Sequence, residues 1–464
     1  MESHADESLI LEITRKVALT LENGGAFGGL YGHVDTAVTA ALKAQQAWQW
    51  EFSHKDRIRI INEAKAELAG DDAVNELALL SVAETGMGRA RDKAAKIRLA
   101  LEKTPGPESF KANAVMGDHG LALEELSPFG VIASLVPSID AAPVVFCNAL
   151  NMISGANAAV ITPHPDAIKT ALRAADLLSV ALAKSGAPEG LVSAIRDPGA
   201  PNLEKLINHR SIAQICVTGG SAAVSSALRS GKPVIAAGPG NPPVMVDGTA
   251  DLRKAARDIV SGCSFDNNSS CLGEKALFVT HGAANELVGL MMAEGAVTLP
   301  NPRDARRLMD VLLKGRVPDK RLLGKSPCHI LAAAGISVPK DTKLILVETG
   351  ETHPFVQEEI MAPILPLVRV ADFEDGLAAA IRAEHSLRHS SAIYSANIRN
   401  MSRMARAMGT SIFTKNAPVF SAIGYNGDCP TAFTIATVTG QGPVTPVAFC
   451  RTRRCVLSGA FSIV

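Results

Sequence analysis

The sequence lacks the features that mark several classes of protein. Lysine plus arginine and aspartate plus glutamate are equal at 46 each, and without a basic excess we expect neither a nucleic-acid nor a membrane-surface partner. None of the eight cysteines forms a CxxC pair, and a chain of 464 residues needs no disulfide staples. We therefore expect reduced thiols in a cytoplasmic protein. Only two tryptophans and three tyrosines occur, and nothing marks a pocket built for one particular small molecule.

Export and membrane-spanning signals are also absent. Arg15 and Lys16 are not followed by an apolar run with a cleavage site, so we expect no signal peptide. The weakly charged stretch 126–161 is apolar enough to suggest a membrane span, but prolines, asparagines, an aspartate and a glycine interrupt it. It predicts buried strand, turn, helix and strand instead. The length exceeds one ordinary core, so we expect two or three domains.

Short apolar runs alternate with helical patterns along two stretches of the chain. The first set of predicted strands is 131–136, 158–162, 191–195, 212–218 and 233–238, with helices at 143–154, 166–184, 202–208 and 221–229. The second set of strands is 276–280, 344–348, 365–370 and 391–395. Such alternation is typical of parallel sheets with crossover helices, which bind ligands beyond the carboxyl ends of their strands. The predicted fold class is therefore α/β.

The two ends of the chain have patterns of their own. Residues 6–22 predict an amphipathic helix with an apolar stripe of Ile10, Ile13, Val17 and Leu21. NGGAFGG at 23–29 predicts a linker. Further helical regions are predicted at 35–70 and 73–102, and strand-like runs at 433–439 and 446–457. We expect the C-terminal runs to pair with something other than their neighbours in sequence.

Glycine-rich turns follow two of the predicted strands. In VTGGSAAV (217–224), Gly219 and Gly220 allow close backbone approach to a ligand, and Ser221 can cap the helix that follows. The N–H groups of that helix could then receive a phosphate. The pattern is not GxGxxG, and an ordinary turn between strand and helix is the alternative. GPGNPP (238–243) by itself indicates only a tight backbone.

A polar loop, FDNNSSCLGEK (265–275), places Cys271 directly before a predicted strand. Loop cysteines are more accessible than core cysteines, and reactivity requires access together with a thiolate. Cys271 is therefore the candidate nucleophile, with a structural cysteine as the alternative. The other seven cysteines lie in apolar or terminal contexts and are predicted to be structural. PHP (163–165) and QEEIMAP (357–363), taken alone, fit an ordinary loop and a solvated helix end.

Taken together and in this order, six segments resemble the CoA-acylating aldehyde dehydrogenases, most of all the propionaldehyde and acetaldehyde dehydrogenases of bacterial microcompartments. The segments are ETGMGRARDKAAK (84–96), TGG (218–220), GPGNPPVMVD (238–247), SFDNNSSC (264–271), EEIMAPILPLVRV (358–370) and VAFCRTRRCVLSGAFSIV (447–464). The resemblance extends over nearly the whole chain, from about residue 33 to the end.

The resemblance implies three domains. They are a Rossmann-type cofactor domain over 30–237, an α/β catalytic domain over 238–424, and a small β oligomerisation arm built from residues near 115–127 and from the return segment 425–464. A homodimer or homotetramer inside a bacterial microcompartment is implied as well. Residues 1–22 would then bind a shell protein as an encapsulation helix, or else pack on their own domain.

The resemblance also implies roles for single residues. Cys271 would be the nucleophile. Thr218, Gly219 and Gly220 would border the cofactor phosphates, and Gly238 belongs to the same cofactor site. Pro163 and His164 would lie near the adenosine ribose, and Glu359 would bind the nicotinamide ribose. The implied cofactor is NAD, with NADP as the alternative; coenzyme A is the co-substrate, and no metal is expected.

The sequence departs from its hydrolytic relatives in a segment that matters for the acyl acceptor. Those relatives carry Glu-Leu-Gly-Gly, whose glutamate activates water, whereas the matching segment here is Ala237-Gly238-Pro239-Gly240. Without a base, water attacks a thioester poorly, because proton transfer typically contributes about 10²–10⁴-fold. A CoA thiolate needs no such base, so the departure predicts transfer to CoA.

A second departure concerns the oxyanion that forms when the Cys271 thiolate adds to the aldehyde. Relatives usually have an asparagine where this chain has Asp140, and an ionised carboxylate only accepts hydrogen bonds. Either Asp140 is protonated or displaced, or the backbone N–H of Cys271 provides most of the stabilisation.

The expected function is the reversible, NAD-dependent and CoA-acylating oxidation of a short-chain aldehyde, propionaldehyde or acetaldehyde, through a thioester on Cys271. One alternative is a hydrolytic aldehyde dehydrogenase of the same fold. The other is a catalytically silent cargo or scaffold protein, suggested by the N-terminal helix and by Asp140.

Overall fold

The computed structural model describes residues 12–19 and 29–460, which form two compact units. The first contains the described residues through Glu84, then Lys96–Ala237, then those from Pro430 onward; the second contains Thr85–Ala95 and Gly238–Cys429. The division drawn from the sequence put 85–95 with 30–237 and began the return segment at 425. In the structure, 85–95 belongs to the second unit and the chain returns to the first at Pro430.

The N-terminal region is described only in part. Residues 12–19 are helical (α1), as the predicted helix 6–22 requires, whereas residues 1–11, 20–22 and most of the predicted linker 23–29 lie outside the described residues. Val17, one member of the predicted apolar stripe, is 1% exposed. At that position the stripe is therefore covered within this chain.

Each of the two long helical regions predicted next is a pair of helices. They are α2 (Val34–Trp50), α3 (His54–Leu68), α4 (Asp71–Thr85) and α5 (Ala90–Lys103). The break before α3 carries a capping box, in which Ser53 and Asp56 each accept from the other's backbone N–H. Apolar periodicity continues through such a break, which is why the two helices were predicted as one.

The first unit is built on a six-stranded parallel sheet. Its strands are β1 (Leu30–Tyr31), β4 (Val131–Leu135), β5 (Ala158–Thr162), β6 (Val192–Ile195), β7 (Ile212–Thr218) and β8 (Val234–Ala237). Its crossover helices are α6 (Ala141–Ser154), α7 (Ile168–Lys184), α8 (Ala200–Asn208) and α9 (Ser221–Arg229). The five predicted strands are confirmed, as is the α/β class; β1 is too short to have left a pattern.

The strand order of this sheet is β1-β6-β5-β4-β7-β8. The chain proceeds from β4 outward through β5 and β6 and then crosses back to β7, on the other side of β4. The direction of winding therefore reverses at β4, and an open parallel sheet binds ligands at the carboxyl ends of strands around such a switch point. The segments at that edge are the ones that follow β4, β5 and β7.

The second unit contains a seven-stranded parallel sheet in the order β11-β14-β15-β10-β9-β16-β17. Its strands are β9 (Pro243–Val246), β10 (Ala276–Thr280), β11 (Ala296–Thr298), β14 (Leu344–Glu348), β15 (Ile364–Val370), β16 (Ser390–Tyr394) and β17 (Ile412–Lys415). The four predicted strands are confirmed. Central β9 was missed because it begins at a proline after a Gly/Pro-rich turn, a sequence that argues against a central strand.

Helices and a short hairpin complete the second unit. The helices are α10 (Leu252–Ser264), α11 (His281–Ala293), α12 (Pro302–Leu312), α13 (Pro327–Ala333), α14 (Pro354–Gln357), α15 (Phe373–Glu384) and α16 (Ile398–Met408), and the hairpin is β12 (Leu313–Lys314) with β13 (Val317–Pro318). One core cluster joins Met245 of β9, Phe278 of β10 and Ile393 of β16. None of the helices in the described part of the chain is long and apolar enough to cross a membrane.

A three-stranded antiparallel sheet, the arm, extends the first unit. It consists of β2 (Asn113–Gly117), β3 (Gly120–Pro128) and β20 (Cys450–Ser458). The strand predicted over 446–457 begins only at Cys450, because residues 446–449 form a 3₁₀ turn. Of the run predicted over 433–439, only β18 (Ile435–Ala436) is extended, pairing with β19 (Gly442–Pro443). Exposed apolar side chains on the arm include Val115, Met116, Val456 and Leu457.

The turn of this arm gives a testable prediction. Gly120 has a φ of +118°, and a Cβ there would lie 2.1 Å from the carbonyl oxygen of Leu457 in β20. Gly120→Ala should therefore weaken the β3–β20 pairing, and a left-handed residue alone costs roughly 1–2 kcal/mol. We expect amide hydrogen exchange in β20 to rise about tenfold or more.

The matched control is Gly117→Ala in the same hairpin. A Cβ at Gly117 meets nothing within 4 Å. Equal exchange rates in the two variants would contradict the prediction.

Candidate active site

Cys271 is presented by a loop with an unusual backbone. The three residues Asp266, Asn267 and Asn268 all have positive φ angles, of 51°, 52° and 52°. A left-handed conformation costs roughly 1–2 kcal/mol per non-glycine residue, and aspartate and asparagine tolerate it best. The DNN of the sequence motif is thus the residue choice that this backbone requires. Such strain persists only where the surroundings fix the conformation.

Buried contacts fix this loop from two sides. Lys93 Nζ lies 2.8 Å from Asp266 Oδ2, and both side chains are inaccessible to solvent. The backbone N–H of Arg89 donates to Asp266 Oδ1 at 2.8 Å. Asn267 Nδ2 donates to the carbonyl oxygen of Gly324 at 2.9 Å. The first two contacts explain why 85–95 belongs to the second unit.

A second buried lysine lies beneath the loop. Lys275 Nζ donates to the carbonyl oxygen of Asn268 at 3.0 Å, to Asn268 Oδ1 at 2.8 Å and to the carbonyl oxygen of Ser270 at 2.9 Å. Burial lowers the pKa of Lys275 to about 8, although Glu359 opposes the shift. Lys275 is therefore mainly a cation at pH 7, and three acceptors hold its three protons in place.

Glu359 lies beside the glycine segment that lacks its own carboxylate. Glu359 Oε1 accepts from the backbone N–H of Gly240 at 3.1 Å. Burial raises the pKa of Glu359, while the charge of Lys275 acts against the rise. A Cβ at Gly240 would lie 2.8 Å from the carbonyl oxygen of Cys271. Only glycine fits there, and a carboxylate from another element lies next to the segment 237–240.

His389 flanks Gly240 on its other side. A Cβ at Gly240 would lie 2.7 Å from His389 Cγ. His389 Nδ1 is 3.0 Å from Ser390 Oγ, and Nε2 is buried without a hydrogen-bond partner among the described residues. Burial, with a contribution from the charge of Lys275, lowers the pKa of His389 to about 4. The ring is therefore neutral at pH 7, and its Nε2 is suited to a hydrogen bond with a ligand.

The cysteines differ in the way that a nucleophile requires. None of the eight is in a disulfide, and Cys271 is half-buried whereas Cys147, Cys216 and Cys263 are buried. Burial raises the pKa of Cys263 well above its usual value. A buried thiol that resists ionisation is inert. Cys271 alone combines access with the loop that the motif describes.

In the first unit, the segment after β7 presents an open helix end. Gly220 is the N-cap residue of α9 and no side chain caps the helix, so Ser221 does not cap it as predicted. A Cβ at Gly219 or Gly220 would meet nothing within 4 Å. Thr218 Oγ1 lies 2.8 Å from Thr434 Oγ1, which ties the end of β7 to the return segment. The N–H groups of α9 are therefore presented in a form suited to an anion.

The segment after β5 differs, because a carboxylate already occupies its helix end. Glu84 accepts from the backbone N–H groups of Lys169 and Thr170 at the start of α7, at 2.7 and 2.8 Å. His164 Nδ1 accepts from the N–H of Asp166 at 3.1 Å, which orients the half-exposed ring, and Pro163 before it is buried. Of these two helix ends, α9 is the one left for a phosphate.

Asp140 follows β4, between these two segments. Lys96 Nζ lies 2.9 and 3.0 Å from its two carboxylate oxygens, and both residues are buried. Asp140 also occupies the N-cap position of α6 without capping it through its side chain. The carboxylate is thus an acceptor neutralised by a buried ammonium group, and it provides no donor for an oxyanion.

Comparison with known proteins identifies the family. The family model for the aldehyde dehydrogenase family matches residues 29–307. The chain is 43% identical to the acetaldehyde dehydrogenase (acetylating) EutE of Salmonella typhimurium, over 94% of each sequence. This chain belongs to the aldehyde dehydrogenase family. Within the family, it resembles the CoA-acylating enzymes.

Solved structures agree with this assignment. A Rhodopseudomonas palustris propionaldehyde dehydrogenase with bound propionyl-CoA is 40% identical, with a TM-score of 0.92 and coverage of 94% of this chain and 96% of that one. A second structure of that enzyme, at the same identity and TM-score, holds CoA and an acylated cysteine. A propionaldehyde dehydrogenase from a Clostridium phytofermentans fucose-utilisation microcompartment is 37% identical, with a TM-score of 0.91 and coverage of 94% and 100%.

The structure brings together residues that the sequence predicted and residues that it did not. Cys271 and Glu359 belong to one unit with Gly238. Sequence reasoning missed Lys275 and His389. The signal for Lys275 was a pair of charged residues at the start of an apolar strand, in LGEKALFVT, and His389 likewise directly precedes a strand.

The buried imidazole gives a prediction about pH. Because the pKa of His389 in the folded protein is about 4, compared with 6.5 for an unperturbed histidine, its contribution to stability is complete above pH 6.5 and is lost as pH falls towards 4. The difference in melting temperature between the wild type and His389→Asn should therefore decline over that window. The ¹³Cε1 signal assigned to His389 should titrate with a midpoint near 4. A midpoint near 6.5 would rule out the buried neutral ring.

Proposed function

We propose that this chain oxidises a short-chain aldehyde with NAD and passes the acyl group to coenzyme A through a thioester on Cys271. The observation that carries the proposal is the position of Cys271. This half-buried thiol stands on a fixed loop next to Gly240, and the segment 237–240 lacks the carboxylate that would activate water. Acetaldehyde and propionaldehyde are the proposed substrates, because they are the substrates named for the similar enzymes. Nothing in the chemistry prevents the reverse reaction.

The first unit fits the cofactor. The uncapped start of α9 and the open space at Gly219 and Gly220 suit a diphosphate. His164, oriented by the N–H of Asp166, follows the neighbouring strand on the other side of β4 and is assigned with Pro163 to the adenosine ribose. NAD bound there would supply the acceptor for the hydride that the aldehyde carbon loses. Glu359 is assigned to the nicotinamide ribose, since its Oε1 accepts from the N–H of Gly240 and its second oxygen can accept from a ribose hydroxyl.

The chemical steps use residues of the second unit. The Cys271 thiolate adds to the aldehyde carbon, and the carbonyl electron pair moves to oxygen. We assign stabilisation of that oxyanion to the backbone N–H of Cys271, since Asp140 is an acceptor held by Lys96. After hydride loss, the CoA thiolate attacks the thioester carbon, and the Cys271 thiolate leaves as the C–S bond breaks. The neutral His389, whose Nε2 has no hydrogen-bond partner among the described residues, is suited to accept a hydrogen bond from the CoA thiol, and its pKa of about 4 makes it a weak base.

A hydrolytic function is the second candidate, and one observation favours it. Glu359 Oε1 lies 3.1 Å from the N–H of Gly240, so a carboxylate of raised pKa is present although the segment 237–240 has none. From there Glu359 could activate water. Its contacts with the Gly240 N–H and the Lys275 charge both stabilise the ionised form and so weaken it as a base, and we rank this function second.

The arm and the origin of one relative support proposals for assembly and location. The exposed apolar side chains of the arm suit pairing with a second copy of the chain, and a dimer or tetramer is proposed. Location inside a microcompartment rests on the origin of the Clostridium phytofermentans relative. A shell contact through residues 1–22 would have to use other positions of the helix than Val17, which is covered within this chain.

Two variants, each with one cysteine replaced by alanine, test whether Cys271 is the nucleophile. Cys271→Ala should abolish aldehyde oxidation and acyl-CoA reduction while leaving NAD binding intact, because no other thiol takes its place. Cys263→Ala, eight residues earlier, should keep most activity, because the Cys263 thiol is buried. Activity assays with NAD-binding titrations on both proteins provide the measurement. An active Cys271→Ala enzyme would show that the assignment is wrong.

The acyl acceptor is tested by omitting CoA. Enzyme, NAD and propionaldehyde should give a single burst of NADH, about one per active site, and then stall with the thioester on Cys271. Adding CoA should restart turnover and yield propionyl-CoA. Sustained NADH and free propionate without CoA would favour hydrolysis, and loss of that activity in Glu359→Gln would then identify the base.

A further inference from the structure

We propose that Lys275 is a positioning residue for the acylation step: its ammonium group polarises the Ser270–Cys271 peptide and so strengthens the Cys271 N–H as a donor to the oxyanion. This rests on the proposed function of Cys271. The inference starts from one contact, the 2.9 Å hydrogen bond from Lys275 Nζ to the carbonyl oxygen of Ser270. That carbonyl belongs to the same peptide group as the N–H of Cys271.

The geometry of the peptide group connects the Ser270 carbonyl to the Cys271 N–H. No peptide bond in the described chain is cis, so the Ser270 carbonyl and the Cys271 N–H point in opposite directions. The two ends are coupled by resonance, and a cation on the oxygen draws electron density from the nitrogen. The N–H becomes a better donor, as in any chain of hydrogen bonds whose members polarise one another.

The burial of Lys275 indicates that its charge has a purpose. The side chain is 2% exposed, and an ammonium group in such a place carries a large desolvation cost. Two of its three hydrogen bonds go to Asn268 and hold the left-handed loop. A neutral donor could serve that purpose at lower cost, whereas the bond to Ser270 gains directly from a full charge when an oxyanion forms beyond the peptide.

The expected size of the effect follows from distance. The oxyanion would lie about 8 Å from Nζ, across the peptide, and one unit charge at that distance in an effective dielectric of about 20 alters the rate about 30-fold. Polarisation of the peptide adds to this. The same charge also stabilises the Cys271 thiolate, so a useful experiment must separate oxyanion formation from thiolate formation.

Two thiol reagents make that separation without any cofactor. p-Nitrophenyl acetate acylates a thiolate through a tetrahedral oxyanion: the sulfur–carbon bond forms, the carbonyl electron pair moves to oxygen and returns, and p-nitrophenolate leaves. Iodoacetamide alkylates the same thiolate by displacing iodide, with no oxyanion. The ratio of the two rate constants therefore cancels the thiolate fraction and any general change in access.

The experiment measures this ratio at Cys271, by peptide mass spectrometry at pH 7, for wild type and Lys275→Met. We expect the ratio to fall about 30-fold in Lys275→Met. Lys275→Gln keeps a donor but no charge, should give an intermediate ratio, and serves as the test if Lys275→Met does not fold. An unchanged ratio in Lys275→Gln or Lys275→Met overturns the proposal.

Lys93→Met is the matched control. Lys93 is also a buried lysine that supports the loop, and its ammonium group contacts Asp266, four residues before Ser270. Loss of loop support there should change both rates together and leave the ratio unchanged; a fall equal to that of Lys275→Met would show that the ratio reports loop geometry, against the proposal. Cys271→Ala is the blank. Release of p-nitrophenolate that continues at the wild-type rate in Cys271→Ala would instead contradict the proposed function itself.

Discussion

Everything at the candidate active site depends on a backbone that is unfavourable on its own. Three consecutive left-handed residues, 266–268, turn the chain so that Cys271 stands in front of β10 rather than inside a helix or strand. Lys93 and Lys275 hold that turn by binding Asp266 and Asn268. Buried charges of this kind are costly, and their presence in a strained loop is typical of places where geometry matters more than stability.

The two units provide different kinds of interaction. The first offers backbone N–H groups and glycines at a switch point, which suit an anionic cofactor. The second offers a half-buried thiol together with an imidazole, a carboxylate and an ammonium group whose pKa values are shifted by burial. Glu84 contributes to the first task indirectly, since it closes the start of α7 and leaves that of α9.

Much of this could be predicted from the sequence, and the exceptions have physical reasons. Nine strands, the α/β class and the position of Cys271 followed from short apolar runs and one polar loop. The helix break at Ser53 was hidden because the apolar period continues across it. The membership of 85–95 depends on Lys93 meeting Asp266, far away in sequence. Lys275 stands at the start of a predicted strand, where a lysine is commonly solvated, and only the fold reveals that three acceptors surround it.

The arm has a consequence for how the chain is made. Strand β3 finds its partner β20 only after more than three hundred further residues have been synthesised. Until then, one edge of β3 is unpaired on the ribosome, and such an edge is open to pairing with a strand from another molecule. Glu124 and Glu125 lie along β3, where they later bind Arg454 and Arg453. Because like charges on paired strands repel, we expect these carboxylates to disfavour pairing between copies of β3 in nascent chains, whereas the arginines of β20 favour the correct pairing.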